Sequence, residues 1–400
     1  MALETLTTLE NALKTYYLAP IIKQLDEGSG PILAAVQKGS KYIVGNKFKF
    51  PLQYGRSGGV GARAEDGNLP TPSARNYAQG EASSKNLYAR FSLTDKMIRT
   101  SKDQKASFVD QVTEMMDNLV VDGNDMLRRN MVGTSEGIMG QVNANTSSAT
   151  SFVLKAGTGS INAFYPGQFI DIGTVSGTPA AMTKTVDAGE IVDVDYATGT
   201  ITLASAASLS ANMYITLAGN FGNELTGIGD IMTATTIYGI NRTNNNWFKP
   251  IVLDKASSGT PQALDSMWIQ EGFDGIDARV GEKPNFIACS YGVQRAFIDE
   301  QNTYKRNIEY MKVNGGYDLV SYGHVPISVE KYMKPNMMDL INTKWLYLGR
   351  LSDWDWMDLD GAILHRIDNK AAYEGSLVEY AELLCTKPAA NGRITGIAEV

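Results

Sequence analysis

"YGRSGGVGARAEDGNLPTPSARNY", residues 54–77, holds five glycines and two prolines and almost no large apolar side chain. Within it Gly59, Gly61 and Ala64 fit the G-x-G-x-x-A spacing that binds a dinucleotide pyrophosphate. That chemistry needs a buried strand before the glycines and a helix opening at the third position, because the helix N-terminus holds the phosphates. Neither flank supplies it. The preceding "KFKFPLQY", residues 47–54, alternates strictly, with Phe48, Phe50, Leu52 and Tyr54 on one face and Lys47, Lys49 and Gln53 on the other. This is a half-buried strand, and Pro51 favours an edge. On the other side stands "EDGNLPTPS", residues 65–73, where Gly67, Pro70 and Pro72 forbid a helix.

The alternation returns in "LYARFSL", residues 87–93, with Leu87, Ala89, Phe91 and Leu93 facing one way. Two strands are therefore expected to bracket residues 55–86. A connection of more than about 20 residues without structure is uncommon in a compact domain and serves as a lid, a binding loop or a linker.

Outward from this excursion, residues 1–28 read as a helical arm, with Leu6, Leu9, Leu13, Tyr16 and Tyr17 at helical spacing up to Pro20. Residues 104–130 carry two apolar rows at helical spacing. Phe108, Val112, Met115 and Leu119 form one, and Val109, Met116, Val120, Leu127 and Met131 the other. At about 1.5 Å per residue this is a spine on the order of 40 Å long. Gly123 interrupts it, which predicts a kink or a close neighbour.

From 151 to 220 the composition shifts to Gly, Ala, Ser, Thr and Val with few cations, and short alternating runs are separated by turns such as Ala197-Thr198-Gly199. The block reads as an all-β insertion. Beyond it, "TPQALDSMWIQEGFDGI" and "YGVQRAFIDEQNTY" predict helices, "NFIACS" a strand, and "SLVEYAELLCTKP" and "RITGIAEV" closing strands.

The bulk properties exclude several classes. At 400 residues the chain exceeds one ordinary core, and its 43% hydrophobic content is ample for two or more. A net charge of -7 with dispersed Lys and Arg argues against a dedicated nucleic-acid surface. Two cysteines, Cys289 and Cys385, make neither a disulfide framework nor a zinc pair, so a reducing compartment is the simplest setting. No stretch approaches the roughly 18 apolar residues of a membrane span, and the N-terminus lacks a signal-peptide pattern.

Chemical motifs fail on inspection. "SDWDWMDLDG", residues 352–361, offers four aspartates before a glycine, but Met357 stands where a calcium loop needs its third oxygen. The simpler reading packs Trp354 and Trp356 inward with the acids in water. His324 and His365 have no partner at ligand spacing, and nucleophile-elbow, phosphate-loop and zincin signatures are absent. The expectation is a non-enzyme with no cofactor, metal or catalytic residue.

The order of elements resembles the major capsid protein of tailed bacteriophages. "GGVGARAEDGNLPTPS" is similar to the tip of that family's extended loop, and "FVDQVTEMMDNLVVDGNDMLRRNMVGTSEG" to its spine helix. "PNFIACSYGVQRAFIDE" and "YGHVPISVEKYMKPNMMDLINTKWLYLG" resemble its axial domain, and "SLVEYAELLCTKPAANGRITGI" the strands returning to its peripheral domain. The resemblance implies an α+β capsid fold with an arm (1–46), an extended β-hairpin loop (47–98), a peripheral domain with the spine helix (99–150), an all-β insertion (151–220), an axial domain (221–350) and return strands (351–400).

It implies a shell of homo-hexamers and homo-pentamers around double-stranded DNA, in a virion made in a bacterial cytoplasm, with portal and decoration proteins as further partners. The chain starts directly on its arm, without a long charged helical segment, which implies a separate scaffolding protein. In this reading Arg56, Arg63, Glu65, Asp66, Arg75 and Glu81, with Gly58, Gly59, Gly61, Pro70 and Pro72 shaping the loop, meet neighbouring subunits. Phe108, Val112, Met115 and Leu119 form the spine's core face. Lys85 lies in the loop, but no asparagine partner for a covalent cross-link is identifiable. The alternatives are an encapsulin-like compartment with a protein cargo, and an enzyme using the glycine loop for a nucleotide.

Overall fold

The computed structural model describes residues 30–95, 105–177, 180–304, 310–312, 318–358, 361 and 363–400. The arm expected at 1–28 lies outside these. Among the described residues the buried apolar side chains gather into three separate cores, the first of which draws on several sheets.

The first core is shared by the spine helix, Lys105–Val132, and a mixed sheet. Its long strand Ala372–Cys385 pairs antiparallel with Leu346–Trp356 and Leu364–Arg366 on one side and with Lys85–Thr94 on the other. Val120, Leu127 and Met131 are buried, as the second helical row predicts. Leu119 is partly buried against the same core, whereas the side chains of Phe108, Val112 and Met115 lie outside the described residues. Gly123 has a close neighbour: a Cβ there would stand 3.4 Å from Trp354 Cζ2. Trp354 and Trp356 are buried and the aspartates at 353 and 355 are exposed, as their alternation predicts.

The hairpin differs from expectation. Lys47–Tyr54 pairs antiparallel with Asn76–Ser83, and Lys85–Thr94 leaves it to join Ala372–Cys385. The returning strand carries Ala78, Gly80 and Ala82 opposite Leu52, Phe50 and Phe48. Large rings from one strand fill the space over small residues of the other, so the second strand has no apolar period of its own. The excursion without regular structure narrows to residues 55–75.

The second core belongs to a seven-stranded sheet flanked by the helices Ser266–Val280 and Tyr291–Tyr304. Asp265 accepts from Met267 N at 2.9 Å to open the first helix, and Gly281, in the left-handed region at φ 71°, closes it. Gly392–Thr395 lies between Ile251–Asp254 and Met337–Ile341 in this sheet. The closing "RITGI" therefore enters this seven-stranded sheet and not the one that holds Ala372–Cys385, because its buried, two-sided strand needs a neighbour on each edge.

The third core fills a six-stranded sheet ordered Ile138–Gln141, Tyr214–Leu217, Phe169–Ser176, Ala181–Asp195, Thr200–Ala207 and Ala149–Val153. The sheet begins at Ile138, ahead of the compositional boundary at 151. Likewise the strand Leu346–Trp356 crosses the boundary drawn at 350, its pairing with Ala372–Cys385 resuming after irregularities between Arg350 and Asp355.

Candidate functional site: the extended loop

The root of the loop is fixed to the body by aromatic packing and buried hydrogen bonds. Tyr54 stacks on Trp247 with ring centroids 4.4 Å apart, and Phe50 meets Tyr238 edge-on at 5.4 Å. The Tyr238 hydroxyl donates to Leu383 O at 2.8 Å and accepts from Cys385 N at 3.0 Å, and Glu81 N donates to Tyr238 O at 3.0 Å. Lys47 Nζ lies 2.5 Å and Lys49 Nζ 3.3 Å from the Glu81 carboxylate, which the two ammonium groups hold below its ordinary pKa.

Beyond the strands the two legs stay together. Ser57 Oγ donates to Ser73 O at 3.0 Å, and Gly58 N donates to Ser73 Oγ at 2.5 Å. A Cβ on Gly59 would sit 3.2 Å from Pro72 Cα, so the glycine admits a close crossing of the legs. Gly61 faces Pro70 and the Arg63 guanidinium, and at the tip Gly67 N donates to Ala64 O at 3.0 Å. No helix forms anywhere from 55 to 75, which removes the element a dinucleotide site requires.

The tip is built but uncovered. Val60 and Leu69 are each 87% exposed. Arg56, Arg63, Glu65, Asp66 and Arg75 are exposed, and among the described residues none of them joins an ion pair; Arg63 Nη1 donates only to the adjacent Ala62 O, at 3.0 Å. Lys85 sits past the hairpin and donates to Gly222 O at 2.7 Å.

The serine zipper and the Tyr54–Trp247 stack escape sequence reading. Ser57 and Ser73 stand symmetrically about Glu65, a faint signal for the zipper, whereas Trp247 is remote in sequence and carries no signal at all.

A hairpin arm leaving a spine helix and sheet, with a separate helix-flanked axial sheet, defines the fold of the tailed-phage major capsid proteins. The chain has that fold. It superposes on the capsid asymmetric unit of cyanophage A-1(L) with TM-score 0.55, at 12% identity, over 92% of this chain and 93% of that one. The capsid of a native GTA particle aligns at TM-score 0.46 and 8% identity over 92% and 90% of the two chains. The holo encapsulin complex of Synechococcus elongatus reaches TM-score 0.30 at 11% identity, over 42% and 59%. These last two add no weight. No family model and no curated protein matches the sequence.

Proposed function

We propose that this chain is the major shell subunit of a tailed-phage head, a structural protein and not an enzyme, which self-assembles into hexamers and pentamers around double-stranded DNA. The observation that carries the reading is the loop: a zipped, rooted arm whose two large apolar side chains and five charges find no cover among the described residues. A folded monomer gains nothing from such a tip; a neighbouring copy covers it. The ion pairs formed there contribute register and partner choice more than energy.

The acidic balance suits a container that holds DNA without gripping it. Within this reading a separate scaffolding protein directs assembly, portal and decoration proteins are further partners of the head, and the subunit is synthesised in the bacterial cytoplasm. Membrane insertion has no part in it, and no helix among the described residues is long and apolar enough to span a bilayer. Deleting residues 58–71 tests the proposal. The shortened chain should remain soluble and folded yet form no closed shells in electron micrographs, and unchanged shell formation would overturn the reading.

A further inference from the structure

Beside the root of the loop a groove of about 650 Å³ opens. Its wall is largely apolar, built from Leu52 and Tyr54 of the hairpin, Trp247, Val280 at the end of the helix Ser266–Val280, Trp345 and Pro388. Among the described residues the charged side chains that line it are both cations, Arg279 and Lys387. Arg279 is exposed, donates to Asn246 O at 2.7 Å and joins no ion pair among the described residues.

Lys387 belongs to a cluster with surplus positive charge. Its Nζ and that of Lys344 each stand 4.9 Å from the centroid of the Trp345 ring. One carboxylate, Glu282, serves Lys344 at 3.4 Å and Lys387 at 3.7 Å, and it already accepts from Trp345 Nε1 at 2.8 Å. The groove thus joins an apolar wall to more positive charge than its own acids neutralise. An acidic peptide that also bears an apolar side chain complements both features.

The apex of the loop is such a peptide. Glu65 and Asp66 are the central residues of the turn that Gly67 N closes on Ala64 O at 3.0 Å; both are exposed, and neither joins an ion pair among the described residues. Leu69 follows three residues beyond Asp66, 87% exposed. The Ser57 contact with Ser73 and the close approach of Gly59 to Pro72 keep the legs side by side, so the apex does not double back onto the groove at its own base. A leg of about ten extended residues reaches at most about 35 Å, near the diameter of a small domain.

We propose that the loop apex of one copy docks in the root groove of the next, with Leu69 against Trp345 and Pro388 and the carboxylates of Glu65 and Asp66 facing Arg279 and Lys387. The two surfaces are different patches of one chain, so the contact is head-to-tail and closes into a ring where the rotation permits. This rests on the shell reading and names the surface that the tip meets on its neighbour.

Cross-linking tests it. Full-length chain carrying Asp66→Cys and Arg279→Cys is assembled and treated with a short bismaleimide; the native Cys289 and Cys385 are buried and stay out of the reaction. A ladder of linked chains that stops at five and six is expected on denaturing gels, and neither single variant should give it. Glu65→Cys with Lys387→Cys repeats the test at a second point. Asp66→Arg should lower shell yield about tenfold or more, and adding Arg279→Asp should restore it to within about twofold, because the exchange re-forms the pair. Regular shells without the ladder in either double variant, or an Asp66→Arg defect that Arg279→Asp leaves unchanged, overturn the groove contact and leave the shell reading standing. Wild-type chain that forms no shells, with variants that give no ladder, overturns both.

Discussion

Gly80 lies directly beneath the ring of Phe50: a Cβ on Gly80 would stand 2.4 Å from Phe50 Cε2. The ring is fully buried and packs edge-on against Tyr238, so it has no free direction in which to move. Gly80→Ala should therefore destabilise the chain by about 1–3 kcal/mol through overpacking, read from urea unfolding. A cost near zero would mean that the hairpin root is looser than the contact implies.

Arg393 ties the axial sheet together from inside. Its Nε and Nη2 donate to the two Asp339 carboxylate oxygens at 2.6 and 2.7 Å, and both residues are buried. Arg393→Met should cost about 3–5 kcal/mol because it strands a buried carboxylate, whereas Arg393→Met with Asp339→Leu should recover most of that loss. A double-mutant cycle in urea checks the coupling.

Glu382 gives the fold a pH dependence. Burial holds its carboxyl up at about 8, although Thr226 N and Leu383 N donate to it at 2.7 and 3.1 Å. The folded chain therefore keeps a proton that the unfolded chain releases near the ordinary value of 4.5. The resulting stability is fully present below about pH 4.5 and is lost as pH rises through about 8. Across that window the loss is on the order of a few kcal/mol. Glu382→Gln should flatten this part of the profile in melting curves run from about pH 5 to 8.5, and an identical slope in both proteins would refute the assignment.

Leu69 should matter for assembly and not for folding. Leu69→Ser removes an 87% exposed side chain, so unfolding free energy should change by no more than about 0.5 kcal/mol. Shell yield measured by sedimentation should fall sharply. A normal yield would remove Leu69 from any contact between copies.

The legibility of each element in the sequence depends on how that element is buried. Phe48, Phe50 and Leu52 announced their strand because one face is apolar and the other polar. Asn76–Ser83 did not, since Ala78, Gly80 and Ala82 complete the core by being small. Trp354 and Trp356 were readable from alternation alone. Gly392–Thr395, buried on both faces, is too short to declare its sheet, and only its pairing with Met337–Ile341 places it. In the loop, glycine and proline predicted an excursion without helix, but the Ser57–Ser73 zipper depends on two legs lying side by side.

Electron microscopy of the purified full-length chain, with its mass in solution measured alongside, bears most directly on the central claim. The shell reading predicts closed, regular particles built from rings of five and six subunits. Monodisperse chains or small open oligomers under every assembly condition, with or without a co-expressed scaffolding protein, would contradict it.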